Sequence, residues 1–243
     1  MKIIINQWKS KKTLNRFFFM LSIFSLISLM SFSVEQNHKV LPLAHDNPYM
    51  VQDSFRFSHK YVMQIQDGKR TTDLEYFLSQ SDNYFASQTT SNKNITTTVM
   101  DVANSKMHMF MDTNGDKTRM SMKLNFKNTV KHAIDETKVT ITPTGTTKTI
   151  LGYECNGYNV KGEDVEGTVW VTQQAGVSFA KAFYKTDLSQ STDPNWQKIA
   201  KGLTLEMDMV DTSKRKPKSI NMKCISLDKT SFTINSNDYK KLM

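Results

Sequence analysis

The sequence predicts a mainly β protein, a β-rich α+β domain of about ten strands with two or three short helices. Three observations predict it. Apolar residues recur at every second position in several runs, the period of a half-buried strand. Turn signals such as Asp67-Gly68 and Asn114-Gly115 separate those runs. Helical spacing is confined to a few short stretches.

Of the 243 residues, the first 33 stand apart. Lys9, Lys11, Lys12 and Arg16 precede the uncharged run Phe17 to Phe32, and small Ser31 and Ser33 follow two apart. This is the layout of a secretory signal peptide with a cut after Ser33. The rival reading is an uncleaved anchor, although the run is short of the roughly 20 residues of a spanning helix. The mature chain is therefore expected in the periplasm or secreted. Residues 1–33 hold five of the 32 basic residues and none of the 23 acids, so the rest of the +9 charge is mild. That excludes an argument for nucleic acid. Residues 34–53, with Pro42 and Pro48 and no periodicity, read as a flexible arm. Residues 54–243 read as one β-rich domain.

Within that domain Phe55, Phe57, His59, Tyr61, Met63 and Ile65 alternate with mostly polar residues as a first strand. Leu74, Tyr76 and Leu78 form a second, against a rival helix reading that starts from a Thr72/Glu75 capping box. Residues 95–102 are Thr-rich and β-prone, and Ala103-Asn104-Ser105 turns them into a Met107/Met109/Met111 strand. Asn114-Gly115 then makes a hairpin into Met120, Met122, Leu124 and Phe126. Val139 and Ile141 begin a strand that is expected to break at Pro143-Thr144-Gly145. Tyr153 and Cys155 share a face in the next block, where Gly152 and Gly157 mark bends or bulges. Val169 and Val171 flank Trp170. Leu203, Leu205, Met207 and Met209 alternate, and so do Ile220, Met222 and Cys224, with Phe232 and Ile234 after them. Helices are expected over 177–185, from Phe179, Ala182 and Phe183, and after Asp193-Pro194, from Trp196, Ile199, Ala200 and Leu203, the last of which also fits the strand that follows.

The two cysteines, Cys155 and Cys224, fall on apolar-facing positions, which allows a disulfide in an oxidising compartment or two buried thiols. Seven methionines crowd 107–111, 120–122 and 207–209. Methionine lines surfaces that accept varied apolar partners, and it also fills cores. The candidate cavity lining is Phe57, Tyr61, Met107, Met109, Met111, Met120, Met122, Trp170, Met207 and Met209. Lys214, Arg215, Lys216 and Lys218 could touch anionic headgroups or simply solvate a turn.

The block Ile150-Leu-Gly-Tyr-Glu-Cys-Asn-Gly-Tyr158, followed by Thr168-Val-Trp-Val-Thr172, resembles the secreted bacterial family known as domain of unknown function 4412. The closing Phe232-Thr-Ile234 to Tyr239 element is similar too, with Ser and Asn where the family often has Pro and Gly. The resemblance implies a fold like the lipoprotein-localisation factors, the LolA/LolB-like group: a strongly curved antiparallel sheet, an open half-barrel, around an apolar cavity. It implies no catalytic residues.

No hydrolase, zinc-protease or phosphate-loop motif occurs. Asp112-Thr-Asn114-Gly-Asp116 imitates a calcium loop, but Lys117 and Lys123 stand where the turn Gly and the bidentate Glu belong. The expectation is a monomeric, non-catalytic binding protein without metal or cofactor, holding a lipid, acyl chain or other apolar molecule. A closed-core envelope interaction module and an unrecognised hydrolase are the alternatives.

Overall fold

The computed structural model describes residues 52–123, 139–182, 193–213, 215 and 217–242. The leader, all of the arm except Gln52 and Asp53, and Leu124, Phe126, Phe183, Lys214 and Lys216 lie outside the described residues. The described residues form twelve strands in one unclosed, curved sheet. In chain order these are β1 (Ser54–Asp67), β2 (Arg70–Leu78), β3 (Phe85–Ser91), β4 (Asn94–Asp101), β5 (Lys106–Thr113), β6 (Asp116–Lys123), β7 (Thr140–Ile150), β8 (Tyr153–Lys161), β9 (Val165–Thr172), β10 (Leu203–Asp211), β11 (Lys218–Asn235) and β12 (Lys240–Lys241). Their order across the sheet is β12-β6-β5-β4-β3-β2-β1-β11-β10-β9-β8-β7. Every pairing is antiparallel except that of β12 with β6.

The tight turns follow their chemistry. Asn114 and Gly115 both take positive φ, 54° and 90°, the mirror-image turn that suits strand twist. The Asp112 carboxylate accepts from the Gly115 N–H at 2.8 Å, so it closes the hairpin. Leu151 and Gly152 make a second turn with φ of 51° and 83°, and Ile150 pairs with Tyr153. The bend expected at Gly152 is therefore the hairpin turn between β7 and β8. The expected break at Pro143-Thr144-Gly145 is instead a bulge inside β7. Pairing jumps from Pro143↔Tyr158 to Thr147↔Asn156, and Gly145 at φ 74° supplies the kink.

Helix α1 (Pro194–Lys201) begins where expected: the Asp193 carboxylate accepts from the Asn195 and Trp196 N–H groups. Of the expected 177–185 helix, the described part is a single 3₁₀ turn, Phe179–Lys181.

The sheet carries two separate apolar clusters, one on each face. The front cluster runs across the sheet from β5 to β7 and includes Tyr61, Tyr76, Phe85, Met109, Val169, Leu205 and Met207. The back cluster is aromatic: Phe55, Phe57, Phe77, Tyr84 and Phe110, with Ala86, Val99 and Ile234. It forms because the outer ends of β1 and β11 extend beyond their neighbours. β2 pairs with β1 only from His59 onward, and β10 pairs with β11 only up to Lys223. The free ribbon folds across the back of β2 to β6. Phe57 meets Phe77 of β2, Phe55 meets His108 and Phe110 of β5, and Tyr239 meets Phe110. At the far edge the Leu242 N–H donates to the Arg119 carbonyl of β6. Four residues link β11 to β12 across six intervening strands. Those strands laid flat would span about 34 Å, and the linker reaches at most about 18 Å. Only a curled sheet with this fold-back can make the connection.

Candidate functional site

The front face is where the predicted lining residues concentrate. Directly paired residues share a face, and Met107 pairs with Met100 and Met122, while Met109 pairs with Met120. On the other side of β1, Met207 pairs with Met222 and Met209 with Ile220. Tyr61 links the two halves, its hydroxyl donating to the Thr204 carbonyl of β10 at 2.8 Å. Burial pushes the Tyr61 phenol well above its usual range.

These residues are not equally available. Tyr61, Met107, Met109, Met207 and Met209 are buried against the chain's own side chains, Met207 to 2% exposure. Met111, Met120 and Met122, at the β5–β6 end, are half-buried. Trp170 is half-buried at the margin, lying over Gly157, where an added Cβ would come within 2.9 Å of its ring. The Lys148 ammonium sits 4.6 Å from the Trp170 ring centroid and pairs with Glu206. Phe57 departs from the predicted wall. It lies in the back cluster, stacked 5.8 Å from Phe232. Phe57 belongs to the end of β1 that extends beyond β2 and folds across its back, which brings the ring against Phe77.

Phe179 closes the middle of the front face. Its ring makes edge-on contacts with Tyr61, Tyr76 and Phe85, at 5.8, 5.5 and 5.1 Å. The 3₁₀ turn that holds it has no side-chain cap. Beside it lies α1, with Trp196 and Ile199 turned to the front cluster.

A cleft of about 480 Å³ opens between α1 and the β8–β9 strands, lined by Asn156, Tyr158, Gln173, Pro194, Gln197, Lys198 and Lys201. Sequence reasoning missed it, yet a signal was present. Positions 194, 197, 198 and 201 form one helical stripe, the polar complement of the Trp196/Ile199 face. Gln173 ties the helix down by donating to the Lys198 carbonyl at 2.8 Å. Asn195 does the same to the Ile141 carbonyl of β7 at 3.1 Å.

Cys155 and Cys224 are both buried and both free, the two-thiol alternative of the sequence reading. β9 and β10 lie between their strands. Burial raises the Cys155 thiol and pushes Cys224 up to about 12. Among the described residues no three His, Cys, Asp or Glu side chains converge as a metal site. Of the basic cluster, Arg215 is exposed, and Lys218 pairs with Asp67 at 2.8 Å.

The family model for Domain of unknown function (DUF4412) matches residues 57–236. The chain belongs to this family. Its unclosed curved sheet is the half-barrel that the Gly-Tyr-x-Cys resemblance implied. No curated protein matches the chain. Among solved structures, PNGF-II is similar at 14% identity and a TM-score of 0.41, over 75% of this chain and 30% of that one. MucB is similar at 5% identity and a TM-score of 0.32, over 71% and 53%. A DUF1329 family protein from Desulfovibrio piger gives 10% and 0.19, over 74% and 87%. The chain thus spans about a third of PNGF-II and about half of MucB. All three TM-scores lie below 0.5, and none extends a function to this member of the DUF4412 family.

Proposed function

We propose that this DUF4412 protein is a non-catalytic binding protein of the periplasm or cell exterior, which holds an acyl chain or another apolar molecule on its front face. The observation that carries the reading is the cover of that face. A continuous apolar surface spans the sheet from β5 to β7, and among the described residues a 3₁₀ turn bearing Phe179 and the eight-residue α1 lie over it. Phe179 occupies the central position as a side chain on a short loop, which an apolar guest of similar shape can replace. Methionines around it adapt to varied guests.

Titration with a fluorescent fatty acid, and native mass spectrometry of protein prepared from its own export compartment, test the reading. Uptake is expected, and Phe179→Ala should increase it. Protein that carries no lipid and takes up no probe, with or without Phe179, would overturn it. The export step is checked separately by N-terminal sequencing, which should begin at Val34.

One observation favours a second reading. Met107, Met109, Met207 and Met209 are each at most 8% exposed. A face packed this closely also suits an envelope interaction module with a closed core. That reading expects no uptake and a specific protein partner in crosslinking.

A further inference from the structure

The α1 cleft joins the front face chemically as well as spatially. Tyr158 lies in its lining and is itself buried in the front cluster. Above it the lining turns polar, with the amides of Asn156, Gln173 and Gln197 and the ammonium groups of Lys198 and Lys201. There is no acid among these residues, and neither lysine forms an ion pair among the described residues. The underside of the same helix is an unfinished core. The Trp196 indole N–H is buried with no acceptor among the described residues. An apolar face, an incompletely satisfied seam and a doubly cationic rim therefore succeed one another along α1.

We propose that this cleft receives the anionic head of an amphiphile, a carboxylate or phosphate held by Lys198 and Lys201, while the alkyl chain runs beneath α1 onto the front cluster. The inference rests on the apolar-ligand reading and adds the head-group class and its site. Lys198 and Lys201 stand three positions apart, neighbours on one face of α1, so their ammonium groups can meet one point of negative charge, and the amides supply further donors to its oxygens.

The test uses the full mature chain at pH 8, with dodecanoate, dodecyl phosphate, dodecanol and inorganic phosphate as probes below their micellar concentrations. Isothermal titration should show both anionic amphiphiles binding about tenfold more tightly than dodecanol, a ratio of the size that one charge-assisted contact gives. The ratio of dodecanoate to dodecyl phosphate distinguishes a carboxylate from a phosphate head. Lys198→Gln with Lys201→Gln should remove the preference and leave dodecanol within twofold, with an unchanged melting temperature. Dodecanol binding as tightly as dodecanoate, or the double variant keeping the preference, would overturn the head-group site and leave the apolar reading standing. No binding of any alkyl chain would overturn both. Inorganic phosphate binding as tightly as dodecyl phosphate would show a bare anion site and overturn the proposed amphiphile.

Discussion

The two faces of this sheet bury apolar residues by different means. The back face is a small aromatic core, with Phe55 set against Tyr84, Phe110 and His108 and sealed by the chain's own ribbon. The front face is larger, richer in methionine and covered by short segments. Rigid rings interlock in one arrangement, whereas flexible thioethers fill a space in many. The back face therefore fixes the curl of the sheet, and the front face tolerates change.

The largest effect that would break this contrast is on the back. Phe55→Ala should destabilise the protein by about 3–5 kcal/mol, measured by urea unfolding, because Phe55 is fully buried and tethers the ribbon. A loss no greater than for a front-face methionine would remove the distinction.

Next comes acid. Burial holds His108 down at about 4, with Lys106 and Arg119 also lowering it and Asp101 raising it. Its Nδ1 meets the Ser121 hydroxyl at 2.8 Å. The unfolded chain takes up this proton near pH 6.5, before the folded one does. The resulting stability is thus whole above pH 6.5 and is lost as pH falls towards 4, about 3 kcal/mol in all. His59, buried near Lys229, shifts in the same direction. Melting temperatures from pH 7 to 4 should fall, and His108→Gln should flatten that fall.

Gly167→Ala tests the sheet between the faces. Its added Cβ would come within 2.1 Å of the Asp208 carbonyl and 2.8 Å of the Met209 Cα, so β9 and β10 must part. A loss of about 1–3 kcal/mol is expected. Met109→Leu should cost under about 1.5 kcal/mol and sharpens the claim that the front face is adaptable. At the bottom of the scale, iodoacetamide should leave the native protein unmodified and add two carbamidomethyl groups after unfolding without reductant. Failure to add them in the unfolded state would restore the disulfide.

Much of this fold was legible in the sequence. Period-two alternation placed the strands, Asn114-Gly115 placed a hairpin, and Asp193-Pro194 placed the helix start. The faces were less legible. Phe57 and Tyr61 have the same parity, yet the fold-back of the β1–β11 ribbon places Phe57 in the back cluster and Tyr61 in the front one. Parity correctly buried both cysteines but says nothing of the two strands between them. Of the candidate site, the methionine pairs could be read from spacing. Of the cleft only the stripe along α1 could be read, because the opposite wall depends on which strands α1 lies against.

The pairing of β1 with β11 has a consequence for how the protein is made. Asp67 faces Ile220 and Ser54 faces Asn235, so the central ladder joins nearly opposite ends of the described chain. During synthesis the opening strand must wait for almost everything else. Contacts this distant in sequence close slowly, and until they close, one long edge of β1 stays open to any other extended polypeptide. The centre of the sheet closes only once β11 has been made, and that interval, more than the finished state, is when the protein is most exposed to misassembly.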